Sequence, residues 1–308
     1  CNLTSGCDGC ELWNGIVRIC YAGRTQEARL SKTMPAKYGA SFFEVRLIPG
    51  RMADAADWGD LIGADRPEKP WMNGRPRHIF VSDMSDALSK DVPFEYLRAE
   101  LIGAVKSKAG LRHVWLWLSK RPKRMAEFSE WLWDEHGEAW PDNLMAMTSV
   151  TSQQSARVRI DQLLQVKAKW RGLSCEPLTD LLDLKQWLMP ADLPFPKIDW
   201  VIAGGASGSQ AKPMHPDVPR RLRDDCVAAG VPFFFKQFGE YVGLQDVPAT
   251  TDRNYKGESI ADGMMMLRVG KKNLGRELDG RTWDQMPNIG NRRGIIKVTK
   301  SWVPEAKP

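Results

Sequence analysis

The sequence predicts an α/β protein with a (β/α) TIM-like barrel, complete or incomplete, followed by a C-terminal extension. Six apolar stretches recur between residues 78 and 235 at intervals of roughly 30 residues, and helical patterns separate most of them. Continuously apolar strands are typical of a parallel sheet that helices cover. Each stretch ends in a polar or glycine cluster, and in a barrel all these ends meet at one mouth. An open doubly wound sheet is the competing architecture.

The elements can be assigned in chain order from their apolar periodicity. Residues 42–47 (FFEVRL) alternate as a strand does, and a long Gly/Pro-rich excursion covers 49–76. With a strand beside the cysteines, this gives seven or eight strands, enough to close a barrel. The six apolar strands are predicted at 77–81, 113–118, 144–150, 170–174, 198–203 and 231–235, and helices at 22–32, 93–106, 122–133 and 156–165. We assign residues 1–240 to the cysteine segment and barrel, and 241–308 to an extension or cap.

The composition excludes some classes of protein. No apolar run approaches the roughly 18 residues that a membrane span needs, and no signal peptide is visible. Six cysteines, four of them crowded at one end, do not resemble a secreted disulfide framework. We therefore expect a cytoplasmic protein without a membrane partner. The net charge of +6 favours nucleic acid as a partner.

The cysteine segment indicates a metal site. It contains Cys1, Cys7, Cys10 and Cys20, and the C-x-x-C spacing lets Cys7 and Cys10 face one metal. Cys20 directly precedes a predicted helix, whose positive end favours a thiolate. Thiolates suit both an iron–sulfur cluster and zinc. The alternative is a disulfide or ordinary buried thiols.

Several phrases of the sequence resemble a known family. They are CYA (20–22), IFVSDMSD (79–86), LSKRPKRM (118–125), LSCEPL (173–178), DWVIAGGASGSQAKPMHP (199–216), VPFFFKQFGE (231–240) and LDGRTWDQMP (278–287). Together they resemble the phage-associated, radical-SAM-like proteins that are often found beside three-Cys-motif partner proteins. The resemblance spans nearly the whole chain. It implies a radical-SAM-type barrel, a 4Fe–4S cluster held by cysteines, and S-adenosylmethionine (SAM) as cofactor.

The cysteine pattern departs from that of the resembled family. There, a Gly-Cys precedes Cys-x-x-Cys-Tyr-Ala, whereas here WNGIVRI is inserted before Cys20. The ligand set therefore stays open: Cys7, Cys10 and Cys20, with Cys1 as a fourth ligand or a substitute. Three thiolates leave one iron open for SAM, and four make a closed structural or electron-transfer site.

Further site residues are implied at the strand ends. Expected cofactor contacts come from glycines that permit close approach and from side chains that bind polar atoms: Ser82, Asp83, Ser119, Glu176, Gly204, Gly205 and Ser207, with Asp86 as a further candidate. The carboxylates could equally cap helices. Expected substrate contacts are Lys120, Arg121 and Gln237.

Three residues are candidates for the chemistry itself. Lys236 follows an apolar strand, and Cys175 ends one and is expected to point at the mouth. His215 could assist proton transfer, although a lone histidine is more often structural. Cys226 is expected to be a small buried residue.

The leading hypothesis is a radical-SAM-like enzyme that cleaves SAM and modifies a substrate at the barrel mouth, a nucleic-acid base or nucleotide. One alternative is a nucleic-acid-binding protein with a structural zinc on the four clustered cysteines. The other is a barrel nuclease or glycosylase that uses Asp83, Asp86 and Glu176. A three-Cys-motif partner protein is a further expectation from the resemblance.

Overall fold

Strands and helices alternate along most of the chain. The structure is a computed structural model that describes residues 1–178, 180–190, 196–247, 255–260 and 263–289. The strands are Thr4–Ser5 (β1), Arg46–Leu47 (β2), His78–Val81 (β3), Val114–Ser119 (β4), Leu144–Ser149 (β5), Arg171–Cys175 (β6), Trp200–Gly204 (β7), Phe233–Gln237 (β8), Tyr241–Gly243 (β9), Gly257–Ser259 (β10), Met265–Arg268 (β11), Glu277–Leu278 (β12) and Arg281–Thr282 (β13). The helices are Tyr21–Thr25 (α1), Ser31–Thr33 (α2), Arg51–Ala56 (α3), Phe94–Leu97 (α4), Gly103–Lys106 (α5), Pro122–His136 (α6), Gln153–Leu164 (α7), Lys185–Leu188 (α8) and Asp217–Ala228 (α9). Two π-helical segments, Gln26–Leu30 and Arg98–Ile102, join α1 to α2 and α4 to α5.

One parallel sheet contains β3 to β8 in the order in which they occur in the sequence. A doubly wound sheet reverses its strand order at a switch point, and the described order contains no such reversal. The predicted strand–helix alternation is therefore confirmed as a barrel-like α/β fold of six parallel strands. The expectation that a strand at residues 42–47 and a strand beside the cysteines would join the barrel was wrong. In the 42–47 stretch only β2 forms, and it pairs antiparallel with β1 outside the main sheet.

The sheet curls into a half-barrel. The rings of His78 on β3 and Trp200 on β7 have centroids 6.5 Å apart. Four strand spacings in a flat sheet would separate them by about 19 Å. The concave face carries alternate residues of the strands, which form a small core: Val114, Leu116, Met145, Met147, Trp200 and Ile202, joined by Ile289.

The convex face packs against the crossover helices. Its strand positions are the complementary set, such as Trp115 and Trp117 on β4 and Phe233 and Phe235 on β8, all fully buried. Trp117 stacks on Trp140, with ring centroids 5.7 Å apart. Both faces are therefore apolar, which accounts for the continuously apolar strands in the sequence.

The C-terminal extension packs at two ends of the half-barrel. Its residues 283–289 run along β8, where the amide of Phe235 donates to the carbonyl of Trp283 (2.9 Å). Trp200 Nε1 donates to the carbonyl of Gln285 (2.9 Å). This part lies at the N-terminal ends of the strands, away from the mouth. The small sheet of β9, β10 and β11 instead packs beside the loop after β7. Residues 290–308 lie outside the described chain.

Among the described helices, none is long and apolar enough to cross a bilayer.

The packing of the extension predicts that truncation of the Ile289 side chain destabilises the fold. Its side chain is 5 % exposed within the concave core. We expect Ile289→Ala to lower the free energy of unfolding by about 2–4 kcal/mol, because it leaves a cavity. The matched control is Ile16→Ala, since Ile16 is 94 % exposed; its effect should stay within about 0.5 kcal/mol. Urea unfolding measures both, and equal effects would contradict the placement of residues 283–289.

His78 predicts an acid-dependent loss of stability. Burial, with the nearby charges of Arg75 and Arg66, lowers the pKa of His78 to about 4. An unfolded histidine has a pKa near 6.5, so the unfolded chain binds the extra proton between these values. The free energy of unfolding should therefore fall as pH drops from about 6.5 to 4. In His78→Gln we expect this fall to be smaller by about 1–3 kcal/mol, with His136→Gln on the exposed end of α6 as the control. If the free energy of unfolding fell equally with pH in the two variants, His78 would not be the group responsible for the loss of stability.

Candidate active site

The segment of residues 6–20, called here the cysteine loop, lies over the C-terminal end of β3. Gly6 forms a parallel bridge with Ser85, which follows β3. The Asp8 carboxylate accepts a hydrogen bond from the amide of Lys90 (2.9 Å). The loop is therefore attached to the connection that leaves the first strand of the half-barrel.

Arg121, which follows β4, is the main attachment of the cysteine loop. Its guanidinium donates to the carbonyl of Gly9 (2.6 Å), forms an ion pair with Asp8, and approaches Asp86 (3.4 Å). Its positive charge also acts to lower the pKa of the nearby Cys7 thiol. We predicted that Arg121 binds substrate, but its side chain is occupied by protein groups. Its role here is to join the loop to the strand ends.

Asp86 and Ser119 are hydrogen-bonded to each other. The buried Asp86 carboxylate accepts from Ser119 Oγ (2.9 Å) and from the amide of Leu88 (3.0 Å). Burial raises the pKa of Asp86, against the lowering effect of Arg121. These two predicted cofactor contacts therefore brace the connections after β3 and β4.

The loop is also attached above β5. Arg159 of α7 forms an ion pair with Glu11 (2.7 Å) and donates to the carbonyl of Ser149 (3.0 Å). Although burial acts in the opposite direction, Arg159 and then Lys120 hold the pKa of Glu11 below its usual value. Lys120, a predicted substrate contact, thus lies near the loop. The cysteine loop spans the C-terminal ends of β3, β4 and β5.

The structure separates Cys1 from the other clustered cysteines. Cys7 is buried in a small cluster with Trp13, and Cys20 packs against the same cluster. Cys10 exchanges backbone hydrogen bonds with Trp13 (2.8 and 3.0 Å). Cys1 Sγ instead donates to the carbonyl of Arg51 (3.3 Å) in α3. This grouping favours Cys7, Cys10 and Cys20 over a set of four.

The three cysteines suit a metal group by their chemistry. All six cysteines of the described chain are free thiols. Burial and then the charge of Asp86 raise the pKa of Cys7 to about 11, so the unliganded thiol is protonated. Within the described residues, no three Cys, His, Asp or Glu side chains already converge on a metal-sized site. Holding a cluster would therefore require the loop to draw its sulfur atoms together and release protons.

A buried indole N–H near the thiols is unpaired within the described residues. Trp13 is 2 % exposed, yet its Nε1 has no hydrogen-bond partner among the described residues. Trp117 on the convex face of β4 has an equally buried and unpaired Nε1, so this donor does not by itself mark a binding site.

Polar side chains of β6 to β8 converge on the concave side of the mouth. Lys236 Nζ forms an ion pair with Glu176 Oε1 (3.0 Å), and Ser174 Oγ approaches Glu176 Oε2 (3.4 Å). A Cβ on Gly204 would lie 2.7 Å from Glu176 Oε1, so the glycine makes room for the carboxylate. The structure thus brings together three of the predicted residues: Glu176, Gly204 and Lys236.

The glycine loop after β7 packs tightly on the connection after β8. A Cβ on Gly205 would overlap the carbonyl oxygen of Phe238. Gln237 Nε2 donates to the carbonyl of Gly205 (3.4 Å). Gly205 therefore serves backbone packing, and Gln237, a predicted substrate contact, supports the same loop. Ser207 is exposed on that loop.

Cys175 does not point at the mouth, so this expectation was wrong. It shares the convex face of β6 with Leu173, is fully buried, and lies near Cys226 of α9. Burial raises the pKa of Cys175 well above its usual value, which disfavours a thiolate. Cys226 is fully buried as predicted.

The remaining predicted site residues are His215, Asp83 and Ser82, and each has a different environment. His215 Nδ1 accepts from the amide of Asp217 (3.1 Å) at the start of α9, which is a structural role. Asp83 is exposed. Ser82 has φ 64° and is 6 % exposed, and its hydroxyl finds no partner in the described part of the chain. A strained, buried, unpaired serine fits a binding role better than the other two.

Sequence reasoning missed the residues that hold the loop, namely Asp8, Glu11, Trp13 and Arg159. Asp8, Glu11 and Trp13 lie between the cysteines, which was the available signal. Their partners are distant in the sequence, and no spacing pattern marks them.

The contacts of Arg121 predict that its substitution lowers the stability of the protein. Arg121→Gln leaves the buried Asp86 carboxylate without its ion-pair partner and should lower the free energy of unfolding by about 3 kcal/mol. The adjacent Lys120→Gln should change it by no more than about 0.5 kcal/mol. Adding Asp86→Asn to Arg121→Gln should recover about 1–3 kcal/mol, as coupled residues do. Chemical denaturation of the wild type, Arg121→Gln, Asp86→Asn, the double variant and the Lys120→Gln control tests this, and strictly additive effects of the two single substitutions would refute the pairing.

A comparison with protein families places most of the described chain in one of them. The family described as protein of unknown function (DUF5131) matches residues 2–287. No curated protein and no solved structure matches the chain. The matched residues include the cysteine loop, all six strands of the half-barrel and the extension that packs along β8. The chain therefore belongs to the DUF5131 family of proteins of unknown function.

Proposed function

We propose that this protein is a SAM-dependent iron–sulfur enzyme that modifies a substrate at the mouth of the half-barrel. One observation carries the proposal: a loop with three free thiols is fastened over the C-terminal ends of the parallel strands. In barrels of parallel strands, this edge is where active sites lie. The resemblance to radical-SAM-like proteins supports the same assignment.

Cys7, Cys10 and Cys20 would hold the cluster. Once reduced by an external one-electron donor, such a cluster would supply the electron for cleavage of SAM. The position of Cys1, bonded to the carbonyl of Arg51, supports three protein ligands rather than four. The loop that contains these cysteines is attached to the barrel, because Asp8 and Glu11 form ion pairs with Arg121 and Arg159.

The other side of the mouth provides groups for the organic ligands. Glu176 can accept hydrogen bonds from an amine or ribose hydroxyls, and Lys236 beside it can pair with a carboxylate or phosphate. Lys120 adds a positive charge near the loop. These cations and the net charge of +6 support a nucleic-acid base or nucleotide as substrate. A cytoplasmic location and a three-Cys-motif partner protein belong to the same proposal.

The two alternative functions have less support. A four-cysteine zinc site would need Cys1 beside Cys7, whereas their side chains contact different parts of the fold. A hydrolytic site would need neighbouring carboxylates. Of the three carboxylates in that alternative, Asp83 is exposed, Asp86 is buried in a hydrogen bond with Ser119, and Glu176 lies beside Lys236 of β8.

The proposed ligand set predicts that cysteine variants differ in the amount of iron they bind. After anaerobic reconstitution, the wild type should contain about four irons with matching sulfide, absorb near 400 nm, and give an EPR signal that SAM perturbs. Cys20→Ala should lose most of the iron, because it removes one of three ligands. Cys1→Ala should keep both the iron and the response to SAM. Cys226→Ala is the control for a buried thiol elsewhere.

Other outcomes identify the alternatives. A colourless protein with one zinc that is lost in Cys1→Ala would favour the structural zinc site. Retention of a full cluster in Cys20→Ala would refute the proposed ligand set.

A further inference from the structure

The cysteine loop continues into a helical segment, residues 21–33, and the two pack together. Within the loop, Trp13 and Arg18 form an antiparallel bridge that closes a hairpin. Arg18 Nη1 then donates to Glu27 Oε2 of the helical segment (3.0 Å). The hairpin and the helix are therefore parts of one surface, which adjoins the C-terminal ends of β3, β4 and β5.

The helical segment has a buried side and an exposed side. Ala22, Gly23 and Gln26 are buried, and a Cβ on Gly23 would lie 2.7 Å from the Trp13 ring. The exposed side includes Tyr21, Arg24, Ala28, Arg29 and Lys32. These residues recur every one to five positions and mostly once per turn, which places them on the side that faces solvent.

The unpaired charge on this part of the molecule is positive. Between residues 6 and 44, every carboxylate is already paired with an arginine, namely Asp8, Glu11, Glu27 and Glu44. Four cations of the same stretch form no ion pair within the described residues, namely Arg24, Arg29, Lys32 and Lys37. An anionic partner can therefore pair with these cations without breaking an existing ion pair.

Large apolar side chains are exposed next to these cations. Ile16 is 94 % exposed, Ile19 53 % and Tyr21 69 %. Cations beside an exposed ring are the combination that binds single-stranded nucleic acid, because phosphates pair with the cations and unstacked bases lie on the ring. A bilayer would instead need an apolar helix face to insert, whereas the exposed side of this helix is cationic.

We propose that this surface binds single-stranded nucleic acid, with Arg24, Arg29 and Lys32 on the phosphates and Tyr21 stacked on a base. We call these four residues, with Ile16 and Ile19, the basic surface. The inference rests on the proposed function and narrows its substrate class to a base within a strand, because a strand on the basic surface would lie beside the mouth.

The test measures fluorescence anisotropy of a labelled single strand of about 20 nucleotides, as DNA and as RNA, between about 50 and 200 mM salt. The triple variant Arg24→Gln, Arg29→Gln, Lys32→Gln should bind at least about tenfold more weakly. The slope of log affinity against log salt should become less steep by about 2, because three phosphate contacts are lost.

A matched triple variant removes the same charge from the opposite edge of the sheet. Lys69, Lys108 and Lys169 are exposed and precede β3, β4 and β6. Their substitution by glutamine should change the affinity by no more than about twofold, since these lysines lie far from the proposed contacts. Equal weakening in the two triple variants, or a wild type that binds no strand, would overturn the inference.

The role of Tyr21 predicts a different signature. Tyr21→Ala should weaken binding roughly 5- to 150-fold, as the loss of one stacked base does, and leave the salt slope unchanged. A duplex of the same sequence should compete poorly, because its bases are already stacked. Equal competition by the duplex would overturn the assignment to single strands, and binding of phosphatidylserine vesicles in place of the strand would overturn the inference.

A measurement on the wild type covers variants that do not fold. Photocross-linking to a strand that contains 4-thiothymidine should label the tryptic peptide of residues 19–24, which contains Tyr21. Labelling elsewhere only would overturn the inference and leave an iron–sulfur enzyme that acts on a free nucleotide. A wild type that binds the strand through these residues but binds no iron would overturn the proposed function and keep the strand-binding surface.

Discussion

The pairing of six parallel strands in sequence order is the constraint on which the rest of this structure depends. Because each strand hydrogen-bonds to the next one in the chain, every crossover runs the same way and every strand ends at the same edge. The sheet then curls, and His78 comes within reach of Trp200 although four strand spacings separate them. The mouth and its loops are consequences of this arrangement.

Electrostatic attachment places the cysteine loop on that edge. Arg121 is surrounded by Asp8, Asp86 and the carbonyl of Gly9, while Arg159 pairs with Glu11. These pairs are half-buried, so water screens them less than it screens ion pairs on an open surface. The backbone of the loop pairs with the connection after β3 through Gly6, whose carbonyl accepts from the amide of Asp86 (3.2 Å). The ion pairs act together with backbone hydrogen bonds of the loop, such as the one that the Cys7 amide donates to the carbonyl of Phe42 (2.8 Å).

The two halves of the mouth differ in how fully their polar groups are satisfied. Around β6 to β8, Glu176, Lys236 and Ser174 satisfy one another. Around the cysteine loop, Trp13 and Ser82 keep buried donors that are unpaired within the described residues. Proteins rarely tolerate such groups without a reason. Unpaired buried donors also occur away from the mouth, at Trp117 on the convex face of β4 and at Arg171 at the start of β6, so they do not by themselves mark a binding site.

The sequence by itself determined the strands, their parallel arrangement and the edge that carries the polar residues, because apolar runs and turn residues are local signals. It also marked the cysteines through their spacing. The tertiary structure decided which way each strand-end residue points. Side chains alternate across a strand, so Cys175 faces the helices while its neighbour Ser174 faces the mouth. Partners distant in the chain, such as Arg121 with Asp8, were likewise revealed only by the folded structure, because no local pattern in a sequence reports which distant residues come together.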